Sequence, residues 1–249
     1  MAKQVFMDIH THIIPGVDDG SDSIKETMKM IKQAYDEDIR VIIATPHYGL
    51  VNPDYDPVET ERLLGEVRRA VRDKYQDLHI VMGNEIYYTS GVTEEIVSGR
   101  AKTIGGTSYA LVEFNTGVEY ETILRAIDEF TLNGYRMIIA HVERYSCLEN
   151  DVAAVKELIA RGAYIQVNCR SLLGGRRKSG FSLENRAAWC KKLLKEDCVH
   201  FLASDCHSSG VRRPMIKQAL DAVRKITDAA KVREITRDNI LHLMRDERI

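Results

Sequence analysis

The stretch VFMDIHTH, residues 5–12, joins an apolar run to a pair of histidines. The run from Val5 to His10 predicts a β-strand, because its residues are mostly apolar and β-formers. Successive side chains of a strand point to opposite faces, so His10 and His12 are expected on the same side. Two imidazoles at a strand end are suited to bind a metal ion, although an H-x-H motif alone is weak evidence.

Apolar runs of this kind recur along the chain and alternate with segments of helical periodicity. The further predicted strands are residues 41–45, 79–83, 109–114, 137–141, 164–168 and 199–205. Strands alternating with helices predict a parallel α/β sheet with right-handed crossovers. Reuse of one βα unit favours closure into a barrel, while a doubly wound open sheet is the alternative that periodicity leaves open. Because no linker or composition break interrupts the pattern, a single domain over residues 1–249 is expected.

Several short signals predict where the helices begin and end. Ser23 and Glu26 have the spacing of a capping box, which predicts a helix that runs to about Glu37. Gly134 and Gly162 follow two further helical segments, at the position where a left-handed residue ends a helix. The chain from Pro214 onward is predicted to be helical.

Composition and charge limit the classes of partner. The chain has 249 residues, 44% of them hydrophobic, and a formal net charge of −2, so neither nucleic acid nor an anionic membrane is an expected partner. The first ten residues contain no apolar signal segment, and no 18-residue apolar run occurs. A cytoplasmic protein without membrane insertion is therefore expected. The five cysteines lack C-x-x-C spacing and are expected to be free thiols. The oligomeric state does not follow from the sequence.

Residues that can bind metal stand at the carboxyl ends of nearly all these strands. They are His10, His12, His47, Glu85, Glu113, His141, Asp205 and His207. The carboxyl ends of parallel strands meet at one rim, so the fold brings these side chains together. Any one of them alone is more often a hydrogen-bonded rim residue, but the crowding of charge in the whole set calls for a metal. His79, His200 and His242 fall elsewhere and are assigned to structure.

The mixture of imidazoles and carboxylates indicates which metals fit. It suits Mn²⁺, Fe or Zn²⁺, whereas Mg²⁺ alone tolerates fewer imidazoles. The set exceeds the needs of one ion, so two or three ions are expected, with Glu85 as the natural bridge. Clustered ions are typical of phosphate-ester hydrolysis. Arg144 and Arg212 follow His141 and His207 closely and are candidate phosphate ligands, the alternative being that they are solvated loop residues.

Short motifs in the chain resemble the polymerase and histidinol phosphatase (PHP) superfamily. The motifs are DIHTH at 8–12, ATPH at 44–47 and ASDCH at 203–207. Four more segments resemble the bacterial protein-tyrosine phosphatase branch of that superfamily, found with capsule and exopolysaccharide loci. They are GVDDG at 16–20, GNEIY at 83–87, LVEF at 111–114 and AHVERY at 140–145.

The resemblance implies a distorted TIM-like (β/α)7 barrel, the PHP fold, with a trinuclear centre that usually holds manganese. By matching position, the first ion takes His10, His12, Glu85 and Asp205, the second takes Glu85, Glu113 and His141, and the third takes Asp19, His47 and His207. Asp19 enters through the resemblance alone, since a D-D-G sequence is usually only a turn.

The resemblance also implies a mechanism and a substrate. A metal-bound hydroxide attacks phosphorus without a phosphoenzyme, and Arg144 and Arg212 hold the phosphoryl oxygens. A metal-ligating carboxylate, for which Asp205 is the candidate, or a nearby protonated group assists the leaving phenolate. Because Arg213 adjoins Arg212, which of the two reaches phosphate is open. The implied substrate is the phosphotyrosine-rich tail of a bacterial tyrosine kinase that controls polysaccharide export, and the basic loop at 174–178 either suits an acidic tail or is simply solvated.

Three alternatives accompany this interpretation. Cys206 and Arg212 match the C-x5-R motif of cysteine-dependent tyrosine phosphatases, but Cys206 lies between two predicted ligands and should point away from them. The same fold also serves small-molecule phosphatases, such as histidinol phosphatase, and the nuclease-like domains of polymerases. A non-catalytic phosphotyrosine-binding regulatory module is the third alternative, and it would have no need of a trinuclear site.

Overall fold

The computed structural model describes residues 5–174 and 183–249, with side chains at 183 and 184 left aside. The predicted basic segment 175–178 therefore lies outside the described residues. In the described part of the chain the strands are β1 Phe6–Thr11, β2 Ile39–Ala44, β3 His47–Tyr48, β4 His79–Met82, β5 Glu85–Tyr87, β6 Tyr109–Glu113, β7 Arg136–Ile139, β8 Tyr164–Asn168 and β9 Phe201–Ala203.

The strands pair in parallel around a curved sheet. One sheet has the order β1-β2-β4 and the other β3-β5-β6-β7-β8-β9. β3 continues β2 after Thr45-Pro46, and β5 continues β4 after Gly83-Asn84. The sheet closes where the chain after β9 meets β1: the amide of Asp205 donates to the carbonyl of His10 at 2.9 Å, and the amide of His12 to that of Cys206 at 2.9 Å. The structure thus confirms the predicted distorted α/β barrel.

Helices cover the outside of the barrel. They are α1 Ile24–Asp36, α2 Pro57–Arg72, α3 Thr93–Val97, α4 Tyr120–Leu132, α5 Val152–Ala160, α6 Cys169–Leu173, α7 Leu183–Lys195, α8 Ile216–Val223, α9 Ala229–Arg233 and α10 Asn239–Met244. A π-helical turn, Glu234–Asp238, joins α9 to α10. Among the described residues, no helix combines the length and apolar character needed to cross a membrane.

The first helix shows how a local signal serves a distant loop. Ser23 caps α1 and accepts from the amide of Glu26, as predicted. The Glu26 carboxylate, however, does not close the capping box but accepts from the amide of Ser209 at 2.7 Å. Gln33 donates to the carbonyl of Ser209 at 2.9 Å. Both contacts anchor the loop that carries His207 and Arg212.

The buried side chains form two layers. Outward-facing strand residues such as Ile42, Val112 and Leu202 pack against the helices. Inward-facing residues fill the barrel and meet side chains from α10 at its lower, N-terminal end. This inner set is Met7, Ile9, Ile43, Ile104, Tyr109, Leu111, Ile138, Ala140, Phe201, Ala203, Ile240 and Leu243.

A β-bulge in β1 changes which residues face the interior. Asp8 pairs with Ile42 and Thr11 with Ala44, so Ile9 and His10 together oppose one residue of β2, Ile43. Ile9 belongs to the inner apolar layer. His10, one position later, also points inward, where it contacts Gln166 of β8. The bulge therefore ends the apolar filling of the barrel and begins its polar rim.

Candidate metal centre

The residues predicted to bind metal gather at the carboxyl-terminal rim of the barrel. They form four overlapping groups whose potential ligand atoms lie within 4.8 Å of one another. The groups are His12, Asp19, His47 and His207; His10, His12 and Asp205; His10, Glu85 and His141; and His47, Glu85 and Glu113. Every residue of the predicted set occurs in at least one group. His10, His12 and His47 each occur in a group beyond the ion that the resemblance assigned to them.

Glu85, the first residue of β5, lies at the centre of this cluster and is 1% exposed. Its Oε2 lies 3.0 Å from His10 Nε2 and 3.2 Å from His12 Nε2. The same oxygen is 3.2 Å from His47 Nδ1, while Oε1 is 2.7 Å from His141 Nε2. One carboxylate thus faces four imidazoles, which is the geometry expected of a bridging ligand.

A second part of the cluster surrounds Asp19. Asp19 Oδ1 lies 3.4 Å from His47 Nε2 and 3.2 Å from His207 Nε2. On its other side His47 presents Nδ1 to Glu113 Oε1 at 2.9 Å. His207 presents Nδ1 to Asp205 Oδ1 at 3.3 Å. His47 and His207 therefore link the exposed Asp19 to the buried carboxylates.

The donor atoms are oriented as a metal site requires. His10 Nδ1 contacts the side-chain oxygen of Gln166, and His12 Nδ1 contacts Asp18, so both imidazoles donate through Nδ1. Their Nε2 atoms are left 3.2 Å apart and turned to the same point. Within the described part of the chain, His47 Nδ1, Glu113 Oε1 and His207 Nε2 are buried, and their short contacts do not have the angles of a hydrogen bond. Buried polar atoms of this kind are costly, and bound metal ions would satisfy them.

The electrostatics reflect the crowding of charge. Burial alone would raise the pKa of Glu85, but His10, His12 and His141 hold it well below its usual range. Burial raises the pKa of Glu113, and the negative charge of Glu85 adds to this effect. Although burial opposes a charged imidazole, the Asp18 carboxylate raises the pKa of His12 to about 9. A raised imidazole pKa means that a bound cation would compete with a proton at these side chains.

Two of the predicted residues have left-handed backbone conformations. The φ angle of His141 is 33° and that of Asp205 is 51°. Such angles are uncommon outside glycine, and non-glycine residues in this region cluster at functional sites. Both residues lie two positions after the end of a strand, β7 for His141 and β9 for Asp205.

Asp18 is a functional candidate that the sequence analysis missed. Its Oδ2 accepts from His12 Nδ1 at 2.7 Å and from the amide of His47 at 3.0 Å, and its Oδ1 accepts from the amide of Gly20. A Cβ on Gly20 would lie 2.3 Å from the His12 carbonyl oxygen and 2.5 Å from the His12 Cβ. The D-D-G turn is therefore built to orient two predicted ligands, and the presence of a first aspartate beside Asp19 in that motif was the signal available.

Gln166 and Asn168 of β8 were also missed. Gln166 Oε1 accepts from the amide of His141 at 2.8 Å as well as contacting His10. Its amide nitrogen donates to Asn168, and Asn168 in turn donates to Asp205 Oδ2 at 2.7 Å. Gln166 and Asn168 alternate with apolar residues in the buried strand β8. This alternation was the signal that both side chains face the inside of the barrel, on a strand that carries no predicted ligand.

The predicted arginines lie beside this cluster. Arg144 donates to Asp205 Oδ2, and Arg212 Nη2 donates to Asp205 Oδ1 at 2.8 Å. Arg212 Nη1 lies 3.7 Å from Asp19 Oδ2, whereas Arg213 is exposed and has no ion pair with the described residues. Arg144, Arg212 and Arg213 line a cavity of about 400 Å³ that reaches Asp205. Of the two adjacent arginines, Arg212 is thus the one that contacts the cluster.

Cys206 is placed away from the site. It is 2% exposed and packs in the layer between the strands and the helices. Burial raises the pKa of its thiol, the opposite of what a nucleophilic cysteine needs. The resemblance to a C-x5-R loop is therefore one of sequence only.

An α/β barrel with histidines and carboxylates gathered at its carboxyl-terminal rim is the architecture of metal-dependent barrel hydrolases. The fold matches that of histidinol phosphate phosphatase from Lactococcus lactis over 94% of this chain and 97% of that one, with a TM-score of 0.58. At 13% identity this likeness shows the fold alone.

The sequence defines the family more narrowly. The model of the CpsB/CapC family, described by capsular polysaccharide synthesis, matches residues 6–245. The tyrosine-protein phosphatase CpsB of Streptococcus pneumoniae is 33% identical over 248 residues, which are 98% of this chain and 100% of that protein. The tyrosine-protein phosphatase YwqE of Bacillus subtilis is 28% identical over 88% of this chain and 84% of its own length. The chain belongs to the CpsB/CapC family.

Solved structures agree with this placement. A chain from the crystal structures of YwqE from Bacillus subtilis and CpsB from Streptococcus pneumoniae, described as metal-dependent tyrosine phosphatases, superimposes with a TM-score of 0.86. The match has 27% identity and covers 98% of this chain and 96% of that one. The resemblance to the capsule-locus phosphatase branch is confirmed.

Proposed function

We propose that this protein is a metal-dependent tyrosine-protein phosphatase. The observation that carries the proposal is the juxtaposition of four overlapping groups of potential metal ligands with two arginines on one shared aspartate. Ligand groups that share members suit adjacent ions, and paired guanidinium groups suit a phosphoryl group. The relatives named above, which are tyrosine-protein phosphatases by name, support the choice of substrate.

The centre is proposed to hold two or three Mn²⁺ ions, with Fe, Zn²⁺ or Mg²⁺ as substitutes. His10, His12, Asp19, His47, Glu85, Glu113, His141, Asp205 and His207 would bind them, with Glu85 as the bridge. When bound, the ions supply an activated water and neutralise charge on the phosphoryl group. The absence of thiolate donors and the mixture of imidazole and carboxylate support this choice.

The residues around the ions have separate tasks in this proposal. Arg144 and Arg212 would bind the phosphoryl oxygens and stabilise the charge that develops during displacement. Asp205 holds both guanidinium groups in place before substrate arrives. Its Oδ1, which lies 3.7 Å from both His10 Nε2 and His12 Nε2, would take a proton from the attacking water and pass that proton to the leaving phenolate.

The physiological substrate is proposed to be the phosphotyrosine tail of a bacterial tyrosine kinase that controls capsule or exopolysaccharide synthesis. The description of the family by capsular polysaccharide synthesis supports this. We further propose that the protein acts in the cytoplasm and that residues 1–249 form one phosphatase domain. The closed ring of strands from β1 to β9 supports the last point.

The test compares substrates and metal states in one preparation. The protein is stripped with a chelator, reloaded with Mn²⁺, and assayed on a phosphotyrosine peptide, the matching phosphoserine peptide and histidinol phosphate. We expect no turnover after stripping, recovery with Mn²⁺, and a kcat/KM for phosphotyrosine at least about tenfold above the other two substrates. Faster hydrolysis of histidinol phosphate would overturn the proposed substrate, and turnover unaffected by the chelator would overturn the metal.

A further inference from the structure

The cavity beside Asp205 contains more positive charge than one phosphoryl group requires. We call it the arginine cavity; it is lined by Arg144, Arg170, Arg186, Arg212 and Arg213, with Asp205 as the one acidic residue among its described lining. Two of these arginines share that aspartate. Elsewhere on the surface, arginines such as Arg62, Arg100 and Arg136 each have a carboxylate of their own. Among its described lining residues, the arginine cavity therefore has more guanidinium groups than carboxylates.

The arginines of the cavity divide into an inner and an outer set. Arg144 and Arg212 are inner, because they contact Asp205 and, through it, the metal centre. Arg170 and Arg213 are outer: neither forms an ion pair with a described residue, and both are exposed. Arg170, on α6, donates to the carbonyl of Val211, so its guanidinium is held toward the loop that carries Arg212 and Arg213. The outer set lines the same cavity as the inner set, but its guanidinium groups form no ion pair with Asp205.

A guanidinium has five N–H donors in a planar fork that matches an oxyanion. Arg170 uses one nitrogen on Val211, and its other nitrogens have no hydrogen bond to the residues that the structure describes. Like charges gathered in a concave site raise the local potential and favour an anion there. The volume of about 400 Å³ is in the range of small-ligand pockets, which leaves room beside a phosphoryl group for a further anionic side chain.

We propose that Arg170 and Arg213 form a second subsite, which binds an oxyanion carried by the same peptide as the scissile phosphotyrosine. The oxyanion is the carboxylate of a flanking acidic residue or the phosphate of a neighbouring phosphotyrosine. The proposal rests on the proposed function, since it deepens the substrate class of that site. It makes these arginines specificity residues, which act on substrate binding rather than on the displacement at phosphorus.

The test uses peptides of equal length with one central phosphotyrosine. The flanking positions are neutral, acidic, basic, or occupied by a second phosphotyrosine. With the Mn²⁺-loaded wild type we expect kcat/KM to be about tenfold higher for the acidic than for the neutral peptide, with the difference in KM. The doubly phosphorylated arm shows which oxyanion is preferred. The preference should shrink as salt rises, because the outer arginines are exposed.

The variants are Arg213→Ala and the double variant Arg170→Ala/Arg213→Ala. We expect the acidic preference to fall in the first and to vanish in the second. The matched control is Arg69→Ala, which removes the same charge from an arginine on α2 whose side chain is 65% exposed; it should keep the preference. A preference that survives in the double variant would overturn the subsite.

A binding measurement separates failure of the subsite from failure of the proposed function. Fluorescence anisotropy with metal-free protein gives the Kd of each labelled peptide without turnover. Equal Kd and equal kcat/KM for acidic and neutral peptides would overturn the subsite while leaving the phosphatase intact. If no peptide is hydrolysed with Mn²⁺, the proposed function fails and the Kd ratio alone decides the subsite. Binding of a short single-stranded RNA as tight as that of the acidic peptide would also overturn it, by showing a general basic patch.

Discussion

The two ends of the barrel are built from the same strands but carry opposite kinds of side chain. At the amino-terminal end Ile104, Ile240 and Leu243 close the interior with apolar groups that are fully buried. At the carboxyl-terminal end the interior is filled by imidazoles and carboxylates, some of them buried without hydrogen-bond partners in the described part of the chain. The apolar end is therefore stable when buried, whereas the polar end carries buried charged groups whose cost in free energy bound cations would offset.

The difference shows where stability and function are located in this chain. Apolar burial at the lower end contributes free energy of folding with no chemical role. The upper rim carries left-handed backbone at His141 and Asp205 and a crowd of like-charged groups, which the rest of the molecule must support. Each of the following changes tests whether the two ends are separate in this sense.

Replacement of His10 should have the largest effect. We expect His10→Ala to lower kcat/KM by about a thousandfold or more, because the imidazole belongs to two of the potential metal groups. The fold should remain intact, as judged by circular dichroism and urea unfolding. Near wild-type turnover would break the assignment of the rim to catalysis. His79→Ala is the matched control, since His79 is exposed at the start of β4 on the opposite rim.

Asp18→Asn tests a residue that orients predicted metal ligands through hydrogen bonds without being one of those ligands. An amide cannot accept at both of its terminal atoms, so either the Gly20 amide or the pair formed by His12 and the His47 amide would face an N–H donor. We expect Mn²⁺ affinity or activity to fall by about 10- to 100-fold. Titration of activity with Mn²⁺ measures the shift. Asp22→Asn, an exposed aspartate in the same turn, should leave the titration unchanged.

A change at the lower end should affect stability alone. Leu243 is fully buried in the inner apolar layer, and Leu243→Ala should reduce the free energy of unfolding by about 2–5 kcal/mol. The kcat of the folded protein should stay at the wild-type value at a temperature well below the transition. Leu132→Ala provides the comparison, because Leu132 is 86% exposed and should change stability by less than about 0.5 kcal/mol. A loss of kcat in Leu243→Ala would show that the two ends are coupled.

Cys206→Ser should have the smallest effect on catalysis. The thiol is buried among apolar groups and turned away from the metal centre, so kcat should stay within about threefold of wild type. Activity of the wild type should likewise survive treatment with iodoacetamide. Loss of turnover in the variant, with Mn²⁺ binding retained, would revive a thiolate mechanism.

The coarse features of both the fold and the site could be predicted from the sequence. Each strand appears as an apolar run, and parallel pairing places all strand ends at one rim, so the gathering of His10, Glu85 and Asp205 followed from topology. The breaks between β2 and β3 at Thr45-Pro46 and between β4 and β5 at Gly83-Asn84 could not be predicted from the sequence, because they depend on how neighbouring strands pair. Glu85, expected at the end of a strand, instead begins one.

The supporting contacts were harder to predict. Asp18, Gln166 and Asn168 act through other side chains. Their local sequence marks them as polar residues near the rim but does not identify the side chains that they orient. Glu26 is a similar case. The spacing of a capping box predicted that its side chain bonds within α1, but in the folded protein its carboxylate accepts from the amide of Ser209. Local rules identified these residues as polar and structured, while their partners were set by the fold.

The bulge in β1 has a consequence for how this protein can change over time. One extra residue lets Ile9 belong to the packed interior while His10 belongs to the rim. Substitutions that repack the barrel around Ile9 and substitutions that alter metal chemistry at His10 therefore fall on adjacent positions yet act on different properties. A deletion of that one residue would remove this independence and shift the two inward-facing sets against each other. The bulge thus divides β1 into positions where selection acts on stability and positions where it acts on catalysis.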